Sequence, residues 1–126
     1  MKVLVIEDHP AELKLAHHVL SAAGYKVNEA KAAEQAFAAI QDDRPQVILL
    51  DLSLPGMDGL TLVHRLKADP ATRDIHVIAI TSFPEKYSKA DALAAGCDAY
   101  LVKPFSTRDL PTQVSAVVGR GRESQA

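Results

Sequence analysis

Val47-Ile48-Leu49-Leu50-Asp51, running on into Leu52-Ser53-Leu54-Pro55-Gly56-Met57-Asp58-Gly59, is the stretch on which the fold turns. Four apolar residues lead without interruption into one carboxylate. A short, wholly apolar run of this kind reads as a strand buried on both faces, as strands are in a parallel sheet covered by helices. Pro55 to Gly59 has the composition of a loop. The chain therefore leaves a buried strand at an acid and turns.

The pattern repeats on either side. Val3-Leu4-Val5-Ile6 runs into Glu7-Asp8, Val77-Ile78-Ala79-Ile80 into Thr81-Ser82, and Ala99-Tyr100-Leu101-Val102 into Lys103-Pro104. Tyr25 to Ala30 reads as a further strand, more weakly patterned. Helical periods lie between them. Leu13, Ala16, Leu20 and Ala23 share one face and stop at Gly24, a residue suited to a helix C-terminus. Ala33, Ala36, Phe37 and Ile40 mark a second helix, closed by Arg44-Pro45. Leu62, Val63 and Leu66 mark a third, stopped near Pro70. Ser82-Phe83-Pro84-Glu85 has the form of a capping box, which predicts a fourth helix from there to Gly96. Ser106 to Asp109 reads as the cap of a fifth, carrying Val114, Val117 and Val118. Pro111 removes a backbone donor in its first turns and predicts a late start or a bend. Strands alternating with helices imply right-handed β-α-β units and a parallel sheet.

At 126 residues the chain is one domain's worth of sequence and needs no disulfide or structural metal to make a core. Cys97, the single cysteine, points to a reducing location. A net charge of −2 argues against direct nucleic-acid contact. The opening apolar run is too short for a membrane span or a signal-peptide core, so the expectation is a soluble, cytoplasmic protein. His9, His17, His18, His64 and His76 have no metal-ligand spacing, although His9 follows Asp8 at the rim of any site formed there.

In an open parallel sheet, ligands bind beyond the carboxyl ends of the strands. Those ends carry Glu7-Asp8, Asp51, Thr81-Ser82 and Lys103. Adjacent carboxylates repel and raise one another's pKa, and a hard divalent cation relieves that. Asp51 is then a carboxylate nucleophile, with Lys103 and Thr81 placed to meet the oxygens of a transferred phosphoryl group.

With these four features in order, residues 2 to about 118 resemble the response-regulator receiver family of two-component signalling. The resemblance implies a flavodoxin-like, doubly wound α/β fold: five parallel strands in the order 2-1-3-4-5 and five helices. It implies that Asp51 accepts a phosphoryl group from a phosphohistidine on a sensor histidine kinase or histidine phosphotransfer protein, with Mg²⁺ (or Mn²⁺). Asp8, Asp51 and the Ser53 backbone carbonyl would ligate the metal, Glu7 would reach it through water, and Thr81 and Lys103 would contact the phosphoryl group. It implies a cis peptide at Lys103-Pro104. It implies a switch through Thr81 and Tyr100 that alters the face from Pro84 to Val118 for a downstream protein or a phosphorylation-dependent homodimer. Ser53 and Phe83 would set the acyl-phosphate lifetime, and as a base-free pair they predict slow hydrolysis. Such a protein is no enzyme beyond its own phosphorylation and slow dephosphorylation.

The sequence departs from the family pattern at Glu7, where Asp is commoner, and at Ser82, where a small apolar residue is usual. Two competing readings exist. An aspartyl-phosphate phosphatase would need a second acid two residues beyond Asp51, where Ser53 stands. A phosphate-independent interaction module would be expected to lack pocket residues that are present here. Residues 1–118 read as the receiver domain and 119–126 as a polar tail or linker stub, compatible with a piece of a hybrid kinase or larger regulator. Phe83, Tyr87 and Phe105 are candidates for an exposed partner patch.

Overall fold

A computed structural model describes residues 1–54, 56–104 and 106–125, with 120–125 described by backbone alone. Pro55 and Phe105 lie outside the described residues, and so do the readings placed on them: the start of the turn after Asp51 and one member of the aromatic patch.

The elements alternate as the apolar runs predict: β1 (Lys2–Ile6), α1 (Pro10–Ala22), β2 (Lys26–Ala30), α2 (Ala33–Asp42), β3 (Val47–Asp51), α3 (Gly59–Ala68), β4 (His76–Thr81), α4 (Lys89–Ala95), β5 (Ala99–Val102) and α5 (Asp109–Gln125). The strands form one parallel sheet in the order β2-β1-β3-β4-β5. This is the doubly wound, 2-1-3-4-5 arrangement that the resemblance implies.

Strand pleating sorts the core into two layers. Leu4, Ile6, Ile48 and Leu50 face α2, α3 and α4, meeting Ala36, Ile40, Leu62, Leu66 and Ala92. Val3, Val5, Val47, Leu49, Ile78 and Ile80 face the other way, onto Leu13, Leu20, Val114 and Val117 of α1 and α5. Every residue of β3 is buried, so the strand that carries Asp51 is packed on both faces. Each such Leu or Ile contributes roughly 1.5–3 kcal/mol by leaving water.

Two helix starts differ from the sequence reading. α4 begins at Lys89, because the Ser88 hydroxyl, not Ser82, accepts an N-terminal amide, that of Asp91, at 3.1 Å. The residues before it make a single turn, in which the Lys86 and Tyr87 amides donate to the Phe83 carbonyl. Ser82-x-x-Glu85 and Ser88-x-x-Asp91 both have the form of a cap. Only the second leads into a helix that buries Ala92 and Ala95. Ser106 makes a turn ahead of α5 rather than capping it, its hydroxyl accepting the Arg108 amide at 3.3 Å. Pro111 falls in the first turn of α5, where the missing donor would have had no helical partner. The backbone stays helical through Gly119 to Gln125. Tyr87 is buried at 6 % exposure, so it does not join the half-exposed Phe83 in a surface patch; the turn folds it into the α3–α4 layer.

Candidate active site at the carboxyl edge of the sheet

Parallel register brings the strand ends to one edge. Ile6 pairs with Leu50, Asp51 with Ile80, and Thr81 with Val102. Glu7 and Asp8 follow β1, Asp51 ends β3, Thr81 ends β4 and Lys103 follows β5. Asp58 caps α3 through the Leu60 amide at 2.8 Å, and the Gly59 amide donates to the Leu52 carbonyl at 3.2 Å. These bonds turn the chain directly after Asp51.

Asp51 is 3 % exposed. The Ser53 amide donates to its Oδ1 at 2.8 Å, and Lys103 Nζ donates to its Oδ2 at 3.1 Å. Lys103 also donates to Glu7 Oε2 at 2.8 Å and to Glu12 Oε2 at 2.7 Å. Glu7 Oε1 accepts the His9 amide at 3.1 Å. One ammonium thus ties three carboxylates, one just after β1, one in α1 and one at the end of β3. The Lys103-Pro104 peptide is cis, and the Lys103 amide donates to the Thr81 carbonyl at 2.8 Å.

The electrostatics follow from this crowding. Burial pushes the Glu7 carboxyl up to about 7; the Lys103 and His9 hydrogen bonds pull it down, and the nearby Asp51 charge adds to the rise. Burial alone would lower the Lys103 ammonium, but its bonds to Glu12 and Glu7 and the Asp51 charge carry it above an ordinary lysine. Lys103 therefore stays charged in the pocket.

Ligand atoms of Glu7, Asp8, His9 and Asp51 lie within 4.8 Å of one another. The buried Oδ1 of Asp8 has no hydrogen-bond partner among the described residues. A carboxylate oxygen left without a donor beside two further carboxylates suits a cation, and an oxygen-rich set suits a hard one. The cluster can hold a divalent metal.

The structure thus gathers Glu7, Asp8, Asp51, the Ser53 amide and Lys103. Thr81 stands at the neighbouring strand end, fully buried, its hydroxyl accepting the Phe83 amide at 2.9 Å. Phe83 is half exposed. Tyr100 is directed elsewhere: its phenol donates to the Tyr87 carbonyl, and burial followed by the Glu85 charge raises its pKa. One neighbour does more than the sequence reading expects of it, and one escaped that reading. His9 contributes to the ligand cluster rather than only bordering it, and Glu12 holds Lys103. No motif in the sequence singles out Glu12, and nothing in the sequence brings residue 12 to residue 103.

Known proteins share this fold and family. The family model described as "Response regulator receiver domain" matches residues 3–115. The phosphate regulon transcriptional regulatory protein PhoB of Pseudomonas aeruginosa is 40 % identical over 118 residues, covering 94 % of this chain and 52 % of PhoB. The chain therefore spans about half the length of the curated relatives it matches. Among solved structures, a putative response regulator from Chloroflexus aurantiacus superposes with a TM-score of 0.87 at 30 % identity, covering 94 % of this chain and 97 % of that one. The chemotaxis response regulator CheY4 of Vibrio cholerae gives a TM-score of 0.83 at 30 % identity, covering 92 % and 97 %.

Proposed function

The chain belongs to the response-regulator receiver family of two-component signalling, and from that premise we propose that Asp51 accepts a phosphoryl group from a phosphohistidine on a sensor histidine kinase or histidine phosphotransfer protein. The observation that carries this reading is the buried Asp51 carboxylate, held by Lys103 and the Ser53 amide beside an Asp8 oxygen that has no hydrogen-bond partner among the described residues.

The proposed step forms a bond from an Asp51 oxygen to phosphorus as the P–N bond breaks, the histidine ring leaving with the bonding pair. The Ser53 amide occupies Oδ1 of Asp51, and Oδ2, which carries the longer Lys103 bond, is the oxygen that attacks. The Lys103 ammonium and the Thr81 hydroxyl meet the phosphoryl oxygens. Such transfer depends on positioning and charge neutralisation. Asp8, Asp51 and the Ser53 carbonyl would hold Mg²⁺ or Mn²⁺, with Glu7 contacting it through water. The bound cation supplies neutralisation of the carboxylates and of the phosphoryl charge.

Phosphorylation then shifts a pre-existing balance of two states. Thr81 exchanges its bond to the Phe83 amide for the phosphoryl group, and Tyr100 leaves the Tyr87 carbonyl. The α4–β5–α5 face changes for a downstream protein or a second copy of the chain. Ser53 and Phe83, neither an acid nor a base, set a slow hydrolysis, and no catalysis beyond the chain's own phosphorylation and dephosphorylation is proposed. Residues 1–118 act as the receiver and 119–126 as a tail, in the cytoplasm, without direct nucleic-acid contact. No helix among the described residues is long and apolar enough to cross a membrane.

Intact mass after incubation with acetyl phosphate tests the reading. Wild type should gain one phosphate only with Mg²⁺, and Asp51→Asn should gain none. Equal labelling of Asp51→Asn would sink the assignment.

A further inference from the structure

Lys103 presents three N–H donors, and each finds a carboxylate. The bond to Glu12 is the shortest at 2.7 Å and the bond to Asp51 the longest at 3.1 Å. Glu12 differs from the other two partners. Glu7 and Asp51 are buried, at 6 % and 4 % side-chain exposure, while Glu12 is 47 % exposed. It reaches Lys103 from the first turn of α1, outside the strand ends. Glu7, Glu12, Asp51 and Lys103 also share the wall of a largely apolar hollow of about 220 Å³ between α1 and α5. A donor engaged with Glu12 is a donor withheld from whatever arrives on Asp51.

We propose that Glu12 is a positioning residue that competes with the phosphoryl group for Lys103, so that α1 sets how readily Asp51 is charged. The inference rests on the phosphoacceptor reading of Asp51. With Asp51 unmodified, Glu12 and Glu7 hold the ammonium at the pocket. An incoming phosphoryl group adds anionic oxygens beside Asp51. Glu7 is buried and has the His9 amide as a second tie, so it stays in place. Glu12 faces solvent, which can rehydrate its carboxylate once Lys103 lets go. The exposed partner is therefore the one that yields.

The test is the affinity of the folded protein for beryllofluoride, a tetrahedral phosphoryl mimic, measured with Mg²⁺ by fluorine NMR. Glu12→Gln removes the charge and keeps the side chain's length. It should tighten beryllofluoride binding by about two- to fivefold, the range of a half-exposed ion pair. In a Lys103→Met background the same substitution should change nothing, because the competition is over Lys103. Unchanged or weaker binding in Glu12→Gln overturns the proposal. So does tightening that persists without Lys103, since Glu12 would then act only as a general negative charge. A wild type that takes no beryllofluoride would fail at Asp51 itself, an outcome distinct from wild-type binding that ignores Glu12.

Discussion

Gly59→Ala probes the contact that turns the chain after Asp51. A Cβ on Gly59 would stand 2.5 Å from Leu52 Cα and 2.9 Å from the Leu52 carbonyl oxygen. Both are backbone atoms, so no change of rotamer relieves the clash. Either the start of α3 or the strand exit has to move. Gly59 is not among the glycines at positive φ, so the cost is one of space and not of conformation. Overpacking of this kind costs about 1–3 kcal/mol, and a backbone clash belongs near the top of that range. Alanine returns up to about 1 kcal/mol of helix propensity. The net loss is then about 1–2 kcal/mol. For a chain of 126 residues, an unfolding entropy of about 2.1 cal/mol/K per residue converts this to a fall in Tm of about 4–8 °C. Thermal melts followed by circular dichroism measure it. Gly24→Ala is the control: Gly24 sits at φ +98° with open space around it, so its penalty is conformational and remote from Asp51. Only Gly59→Ala should also slow acetyl-phosphate labelling, because Leu52 follows the acceptor. An unchanged or raised Tm in Gly59→Ala would refute the packing argument, and equal slowing in Gly24→Ala would refute its link to the site.

Burial, with the Asp98 charge adding and Lys67 opposing, pushes the Cys97 thiol up to about 12. At pH 8 the thiolate is then roughly one part in ten thousand, so a disulfide reagent should react only as the protein unfolds; rapid reaction of the native protein would contradict this. Hydrogen bonds from Lys2, Lys26 and Asn28 hold the Asp43 carboxyl well below the usual carboxylate range. Its stabilising contribution is present above an unfolded-state pKa of about 3.9 and is lost as pH falls through the lower folded value. The urea midpoints of wild type and Asp43→Asn should therefore differ most near pH 7 and converge below about pH 4, and a constant gap down to pH 3 would count against the pairing. Phe83→Glu places a base beside the pocket and should shorten the acyl-phosphate lifetime, read by loss of the added mass over time; an equal or longer lifetime would remove Phe83 from that role.

The order of elements and the position of the acids were readable in the chain itself. Wholly apolar runs such as Val47–Leu50 and Val3–Ile6 can be satisfied only between two helical layers, and a parallel sheet then gathers Glu7, Asp8, Asp51, Thr81 and Lys103 at one edge. These are one-dimensional signals with local causes. Helix starts were less legible, because Ser82 and Ser88 both offer a cap, and the choice was made by which following residues found the core. Partnerships across the fold were not legible. That Lys103 would bond Glu12 as well as Glu7 and Asp51, that Tyr100 would donate to the Tyr87 carbonyl, and that an alanine side chain has no room at Gly59 all depend on distances between segments far apart in the chain. Those distances are set by how α1, α3 and α4 seat on the sheet, and only the packed structure decides them.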